Sequence, residues 1–445
     1  MTAGSRASAV IAGAVTALLA SASARAQRVD PERPRTFTVG LPAGARADRV
    51  DGARTGRSLP LPRSPLRVAW RIALGTYVDR GPLVDARGGS YVVGVRGDVV
   101  ALGLDGTERW RVATGTTQPG PAALLSDDTV VFADATGQAV AVRDGGVRWR
   151  VRFGRADVGT PSPLPLADGG VVVATTRELA LLDSDGGERA HAVLPEAVAG
   201  PLVWSAGRVI AVGTGGSVWV WTPGTASPER VGAFGAAVDA GAVLTDDRTL
   251  IAVVARDSTL RVLDLLRGTT AVRAASSRGF WRGPPGASDG IAFVVAQGSP
   301  GELATAIDSS GEELGRALLT TRPSPFAPTV LDGGVVPPPL AGPTPPLVDV
   351  RGTLAFATSD GAVGVALFPP AALNPGADPT APVAVDVIAD VCPLAFGIAG
   401  GSSAPPRAVA GLAALPGQRL LAVCRSGAAL ALTGSVTSEL PPKDL

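Results

Sequence analysis

From about residue 66 onward the chain is a succession of short apolar runs, each cut off by Gly, Asp or Pro. The clearest stretch reads Leu83-Val84, then Tyr91-Val92-Val93-Gly94-Val95, then Val99 to Leu104, then Glu108-Arg109-Trp110-Arg111-Val112. Turn-forming residues separate the runs: Asp85 to Ser90, Gly97-Asp98 and Asp105-Gly106. Short runs rich in Val and aromatics, bounded by such turns, predict strands, and Gly97-Asp98 and Asp105-Gly106 predict tight hairpins. Residues 83–112 therefore predict four short antiparallel strands in a row.

That unit recurs. Gly-Pro pairs open it at Gly81-Pro82, Gly120-Pro121, Gly200-Pro201 and Gly283-Pro284, with Thr160-Pro161 opening another. The pairs follow one another after 39, 80 and 83 residues, one unit and then two and two. A strand-only period of about 40 residues is the mark of a propeller or a related array. In the second unit Gly137, Ala141, Asp144 and Trp149 match Gly97, Ala101, Asp105 and Trp110. The third keeps Ala180, Asp183 and Gly186 and has Ala190 in place of the Trp. Further middle strands fall at 208–212 and 217–221, 249–254 and 260–263, 291–295 and 303–307, 353–357 and 363–367, and 420–423 and 429–432. The expectation is an all-β, eight-bladed propeller of four-stranded antiparallel blades, with seven blades as the alternative.

The last unit stops after its third strand, and Val68-Ala69-Trp70-Arg71-Ile72 is an orphan with the composition of a fourth. Pairing the two closes the ring and removes two exposed sheet edges. Two Pro-rich inserts break the period, at 320–346 and 368–410, with a fourth strand expected near Val383 to Val391 inside the second. Both are expected mainly between one blade's outer strand and the next blade's inner strand, hence on one face. Long loops on a rigid scaffold suit binding; passive spacers are the plainer reading.

Composition narrows the function. Charged residues make up 18% of the 445 and the formal net charge is +1, which disfavours nucleic-acid binding through bulk charge. Lys443 is the only Lys and Asn374 the only Asn, a bias that fits a GC-rich bacterial genome. Arg6, the apolar Ala7 to Ala20 and Ala24-Arg25-Ala26 read as a signal peptide spanning 1–26. Residues 27–65 read as an irregular linker, and 66–445 as the propeller domain. No later segment is long and apolar enough to span a bilayer. The mature chain is expected to be periplasmic or secreted and monomeric. Cys392 and Cys424, 32 apart, are either a disulfide between neighbouring blades or a pair of buried thiols.

The unit's order is Gly-Pro, apolar strand, turn, apolar strand, Gly turn, Val-x-Ala-Leu, Asp-x-x-Gly and then Trp. Leu102-Gly103-Leu104-Asp105-Gly106 to Trp110 and Leu182-Asp183-Ser184-Asp185-Gly186 carry its pieces. It resembles the pyrroloquinoline-quinone-type propeller repeat. That repeat occurs in quinoprotein alcohol dehydrogenases and in the propeller lipoprotein of the bacterial outer-membrane barrel-assembly machinery. The resemblance implies that Trp70, Trp110 and Trp149 pack between blades. Trp204, Trp219, Trp221 and Trp281 fall outside that register; Trp219 and Trp221 share one side of a strand and read as packing rather than a ligand stack.

The dehydrogenase branch implies two adjacent cysteines, a calcium held by Glu and Asn, and an Asp base. Here no two Cys adjoin, and Asn374 lies in a Pro-rich insert. His191, the only His, reads as a half-exposed residue on an outer strand, so a Ser-His-Asp site is not expected. Asp183-Ser184-Asp185-Gly186 is turn chemistry rather than a calcium loop, for Glu188 comes too early to complete one. No catalytic, cofactor or metal site is expected. Arg96, Arg177, Arg256 and Arg425 all fall at second-to-third-strand turns, on the insert face. They form either an interrupted positive ring for a carboxylate or backbone partner, or plain solvated turns. The reading is a non-catalytic binding or scaffold module with a protein partner in the cell envelope. A periplasmic quinoprotein-like enzyme is the alternative.

Overall fold

The computed structural model describes Arg46–Ala47 and, with short interruptions, residues 58–434; the longest interruptions are 321–329, 374–382 and 393–407. The signal region, most of 27–65 and Asn374 lie outside the described residues. Eight antiparallel sheets of four or five strands follow one another along the chain, a two-stranded hairpin of Val330–Leu331 and Gly334–Val335 lies between the sixth and seventh in sequence, and no α-helix occurs among the described residues. Blade 1 runs from Leu83–Val84 to Glu108–Ala113, blade 2 from Pro119–Leu124 to Gly146–Arg152, and blade 3 from Leu164–Pro165 to Glu188–Val193. Blade 4 spans Val203–Ser205 to Glu229–Ala233, and blade 5 Val243–Leu244 to Thr269–Ala275. Blade 6 opens with two short strands, Phe280–Trp281 and Gly286–Ser288, both pairing Ile291–Gln297, and ends at Glu313–Thr320. Blade 7 runs from Leu347–Val348 to Ala384–Ile388.

Blade 8 is made from both ends of the propeller. Val409–Leu415, Arg419–Cys424 and Ala428–Thr433 supply three strands, and Arg67–Ala73 pairs antiparallel with the third, Trp70 opposite Ala431. The core explains why the ring closes. It is divided into eight apolar clusters, one between each pair of neighbouring blades. The cluster between blades 8 and 1 joins Leu421, Val423 and Ala429 to Val92, Val100 and Leu102. Middle strands are covered on both faces, so Ser90–Val93 and Val130–Asp134 are buried throughout. Outer strands cover one face only and alternate exposed with half-buried residues, as in Glu108–Ala113.

Two expected features sit differently. Residues 58–66, at the end of the expected linker, pack into the ring: Leu61 and Leu66 are buried between blades 7 and 8. The Leu61 N–H donates to Asp349 Oδ2 (3.1 Å), the Arg351 guanidinium donates to the Leu61 carbonyl (2.7 Å), and the Leu66 N–H donates to Asp386 (2.6 Å). Polar anchors on blade 7, rather than apolar periodicity, order this stretch. The second insert is divided by its own strand, Ala384–Ile388. Strand direction alternates, so Leu367 and Ala384 lie at the opposite face from Thr320 and Ile388.

Candidate functional site: the face carrying the inserts

This face is built from the second-to-third-strand turns and from the links that join each blade's outer strand to the next blade's inner strand. Backbone hydrogen bonds knit the two. Val78, in the link from blade 8 to blade 1, donates to Arg425 O (3.2 Å), while the Tyr77 carbonyl accepts from Val95 N (2.9 Å). The link from blade 3 to blade 4 repeats this: Val198 N to Thr176 O and Thr214 N to Ala197 O, both 2.8 Å. So does the next: Val238 N to Thr214 O (3.1 Å) and Arg256 N to Ala237 O (2.9 Å). At these three joins the link is laced to the turn before it and the turn after it. The turns end on Gly97, Gly216 and Gly427, all at positive φ. At Gly216 and Gly427 a Cβ would strike the carbonyls of Ala236 and Thr76 in the adjoining link, so only glycine lets the two backbones meet.

The four turn arginines share this face but not one position. Arg256 and Arg425 take the first central place of their turns, right after Ala255 and Cys424, where their own backbone atoms bond to the links. Arg96 and Arg177 take the second. Arg96, Arg177 and Arg256 are exposed; Arg425 is half-buried. Burial holds the Arg425 guanidinium below its ordinary pKa, against the opposing pull of Asp79, and its Nε is buried without a hydrogen-bond partner. Acidic residues share the turns and links: Asp79, Asp98, Glu178, Glu196 and Asp257. Asp257 pairs with Arg261 at 2.5 Å, and Glu196 accepts from the Trp219 indole (2.8 Å) and from Gly215 N (3.2 Å). The face therefore carries mixed charge rather than a positive ring. Sequence reading missed the lacing, although an apolar-Gly/Pro-x-x-Val pattern marks it: Leu74 to Val78, Leu194 to Val198 and Phe234 to Val238.

Cys392, just past blade 7, and Cys424, at the second-to-third turn of blade 8, are bonded, with Cα atoms 5.4 Å apart. The bridge pins the root of the second insert beside Arg425. His191 is exposed on the outer strand of blade 3, 3.9 Å from Glu178.

Three tryptophans, Trp70, Trp110 and Trp149, lie in outer strands and hold blade to blade. Trp70 lies over Gly106 of blade 1 and donates its indole N–H to Leu104 O (3.0 Å). Trp149 lies over Gly186 of blade 3 and donates to Ser184 O (2.9 Å). Trp110 packs beside Gly145 of blade 2. Each of the three stands opposite an Ala on its own blade: Ala431 for Trp70, Ala141 for Trp149 and Ala101 for Trp110. In blade 3 the third-to-fourth turn closes on Asp183, where blade 1 has Gly103. Leu181, not Ala180, then matches Ala101, and Asp185, not Asp183, matches Asp105. Two Asp residues in that turn made the sequence pairing slip by two. Leu181 opposite Ala190 inverts the small-large pairing. Trp221, from blade 4 itself, fills the space beside them and donates to Thr225 O (3.1 Å) in its own turn. Trp219 and Trp204 pack against the same cluster. Nothing is described of the Trp281 side chain.

The described residues form a propeller of eight blades whose repeat is similar to the pyrroloquinoline-quinone-type one. Residues 95–222 match the family model described as outer membrane protein assembly factor BamB. Among solved structures, BamB from Moraxella catarrhalis is similar at 18% identity, with 84% of this chain and 99% of that one covered and a TM-score of 0.53. A europium-containing methanol dehydrogenase is similar at 12% identity, 86% and 90% coverage and a TM-score of 0.55. Quinohemoprotein alcohol dehydrogenase ADHIIG from Pseudomonas putida HK5 is similar at 11% identity, 91% and 82% coverage and a TM-score of 0.55. Identities this low show a shared fold. No curated protein matches the sequence. The donor set expected of the dehydrogenase branch does not fit: the two cysteines bond each other across 32 positions, and the described residues gather no cluster of three His, Cys, Asp or Glu. No helix among the described residues is long and apolar enough to cross a membrane.

Proposed function

We propose that this propeller is a non-catalytic binding or scaffold module of the bacterial cell envelope, and that it engages a protein partner through the face carrying the inserts. The observation that supports this reading best is the lacing of links to turns. It gives that face a stiff backbone floor, and Cys392–Cys424 bonds the end of blade 7 to the second-to-third-strand turn of blade 8. A rigid platform loses little order of its own on binding. Exposed Arg96, Arg177 and Arg256 beside Glu178, Glu196 and Asp257 suit a partner surface of mixed charge. The similarity to BamB, whose family description names outer-membrane assembly, supports a protein partner in the envelope. The signal region expected at 1–26 supports export.

The test is capture of partners by the full chain from its native envelope fraction. Arg96→Glu, Arg177→Glu and Arg256→Glu combined, or replacement of 321–342 by a short Gly-Ser bridge, should leave the β-rich circular dichroism unchanged and abolish specific capture. Undiminished capture by both folded variants would sink the assignment to this face. Quinone-dependent oxidation of an alcohol by the purified chain would overturn the non-catalytic reading.

A further inference from the structure

Charge is spread unevenly around the outer wall of the ring. The outer strand of blade 8, Arg67–Ala73, carries Arg67 and Arg71 and no acidic residue. That of blade 1, Glu108–Ala113, carries Arg109 and Arg111 against Glu108. That of blade 2, Gly146–Arg152, carries Arg148, Arg150 and Arg152 and again no acid. All of these arginines are exposed. Three adjacent outer strands thus hold seven Arg and one Glu, a formal +6, in a chain whose net charge is +1. The outer strands of blades 3 to 7 balance: Arg189, Arg230, Arg273 and Arg316 stand against Glu188, Glu229, Glu313 and Asp386.

Edge protection does not explain the excess. Charged residues on an outer strand discourage pairing with another sheet, but blades 3, 4 and 6 meet that need with Glu and Arg together, at no net charge. Carboxylates on the bordering turns offset only part of it. Arg111 holds Glu108 at 2.7 Å and Asp98 at 3.8 Å, while Asp127 and Asp144 are taken by Arg143 at 2.7 and 3.2 Å, and Asp105 by the Thr107 hydroxyl at 2.7 Å. Arg109 and Arg148 come no nearer than 3.8 Å to Asp85 and 4.0 Å to Asp127. Arg71 donates instead to the Val391 carbonyl just past blade 7 (3.3 Å), and Arg150 to the Thr114 carbonyl just past blade 1, so each leans across the seam to the preceding blade. Arg67 and Arg152 pair with no carboxylate among the described residues. Apolar groups line the same seams: Trp70 and Ile72 beside blade 1, Trp110 and Val112 beside blade 2, all half-buried.

We propose that the outer wall of blades 8, 1 and 2 is a second docking surface, separate from the face carrying the inserts, and that it takes an acidic, extended segment of a protein partner. Guanidinium groups grip carboxylates through paired hydrogen bonds, and the half-buried indoles between them accept aliphatic stems. Charge complementarity calls for an anionic occupant, and shape selects among anions. The belt covers three of the eight blades of a closed ring, so it is strongly convex. A flat anionic bilayer meets such a wall along little more than one outer strand, whereas a flexible chain follows all three. The surface works whether or not the insert face also binds.

The test uses the full chain and a fluorescein-labelled poly-glutamate peptide, read by fluorescence anisotropy. The parent should bind the peptide, and binding should weaken as ionic strength rises through ~0.15 M. The variant Arg67→Glu/Arg148→Glu/Arg152→Glu should bind at least about tenfold more weakly. The variant Arg96→Glu/Arg177→Glu/Arg256→Glu, reversed on the insert face, should bind within about twofold of the parent, which separates this surface from that one. Should the first variant lose its β-rich circular dichroism, Arg67→Gln/Arg148→Gln/Arg152→Gln serves instead, with a loss of about threefold or more. No binding by the parent, equal binding by the parent and the folded wall variant, or an equal loss in both faces' variants overturns the proposal. It is overturned too if phosphatidylglycerol vesicles bind this wall more tightly than the peptide does, for the occupant is then lipid.

Discussion

Replacing Gly106 by Ala separates backbone strain from blade-to-blade packing. Gly106 has φ +85°, and a Cβ there would lie 2.7 and 2.8 Å from ring carbons of Trp70. Gly115 has φ +70° and nothing within 4 Å of the same hypothetical atom. The left-handed conformation costs an L-residue about 1–2 kcal/mol at either position. Only Gly106→Ala must also displace an indole held by its hydrogen bond to Leu104 O, an overpacking term of about 1–3 kcal/mol. Gly106→Ala should therefore lower stability by about 2–5 kcal/mol and Gly115→Ala by about 1–2 kcal/mol. Guanidinium titration followed by far-UV circular dichroism and by tryptophan emission measures both. Trp70→Leu closes the cycle, since the double variant Gly106→Ala/Trp70→Leu should cost less than the two single changes summed. Equal losses for the two glycines, or strict additivity in the cycle, would refute the claim that Trp70 seals blade 8 to blade 1.

Asp349→Ala should destabilise by about 3 kcal/mol, because a fully buried carboxylate leaves Arg351, Thr353 N and Leu61 N without their acceptor; urea titration reads the loss and faster Leu61 amide exchange its origin. Trp221→Ala should cost about 3–5 kcal/mol, more than His191→Ala on the half-exposed outer strand, since Trp221 fills the gap beside Ala190; thermal unfolding compares the two. The Arg189 guanidinium, hydrogen-bonded to Asp168 at 2.8 Å, and the Gly170 N–H hold the Asp168 carboxyl below the usual carboxylate range. A lowered folded pKa gives stability that is present above pH ~4 and is lost as pH falls below it, so Asp168→Asn should lower stability modestly at pH 6–8, change little in strong acid, and thereby flatten the acid limb of urea-unfolding stability against pH.

Blade count and ring closure were legible because both follow from backbone chemistry with a fixed period. Asp-Gly turns and apolar runs recur, and a last unit short of one strand can be completed only by the orphan around Trp70. The fourth strand of blade 7 was also legible, near Val383 to Val391, though the insert around it obscured its dividing role. The lacing of links to turns was hidden because it is made by peptide groups, which every residue carries; only Val78, Val198 and Val238 hint at it. The packing of 58–66 was hidden for another reason. Its anchors, Asp349, Arg351 and Asp386, lie roughly 290 to 320 positions away, and no local pattern foretells such partners. The four arginines lie at second-to-third-strand turns as the sequence implied, but their inequality depended on which turn place each filled, a one-residue matter. Trp221 fell outside the expected register because its blade supplies from within what other blades receive from a neighbour.

Because blade 8 borrows Arg67–Ala73 from the start of the chain, its hairpin stays an open template until the earliest segment arrives. During synthesis seven blades can assemble in turn, while that early strand must remain unspent beside the exit of the ribosome or a translocation pore. Circular permutation has a natural place here: new termini cut between Ala73 and Leu83 would make blade 8 local and should shorten the slowest phase of refolding.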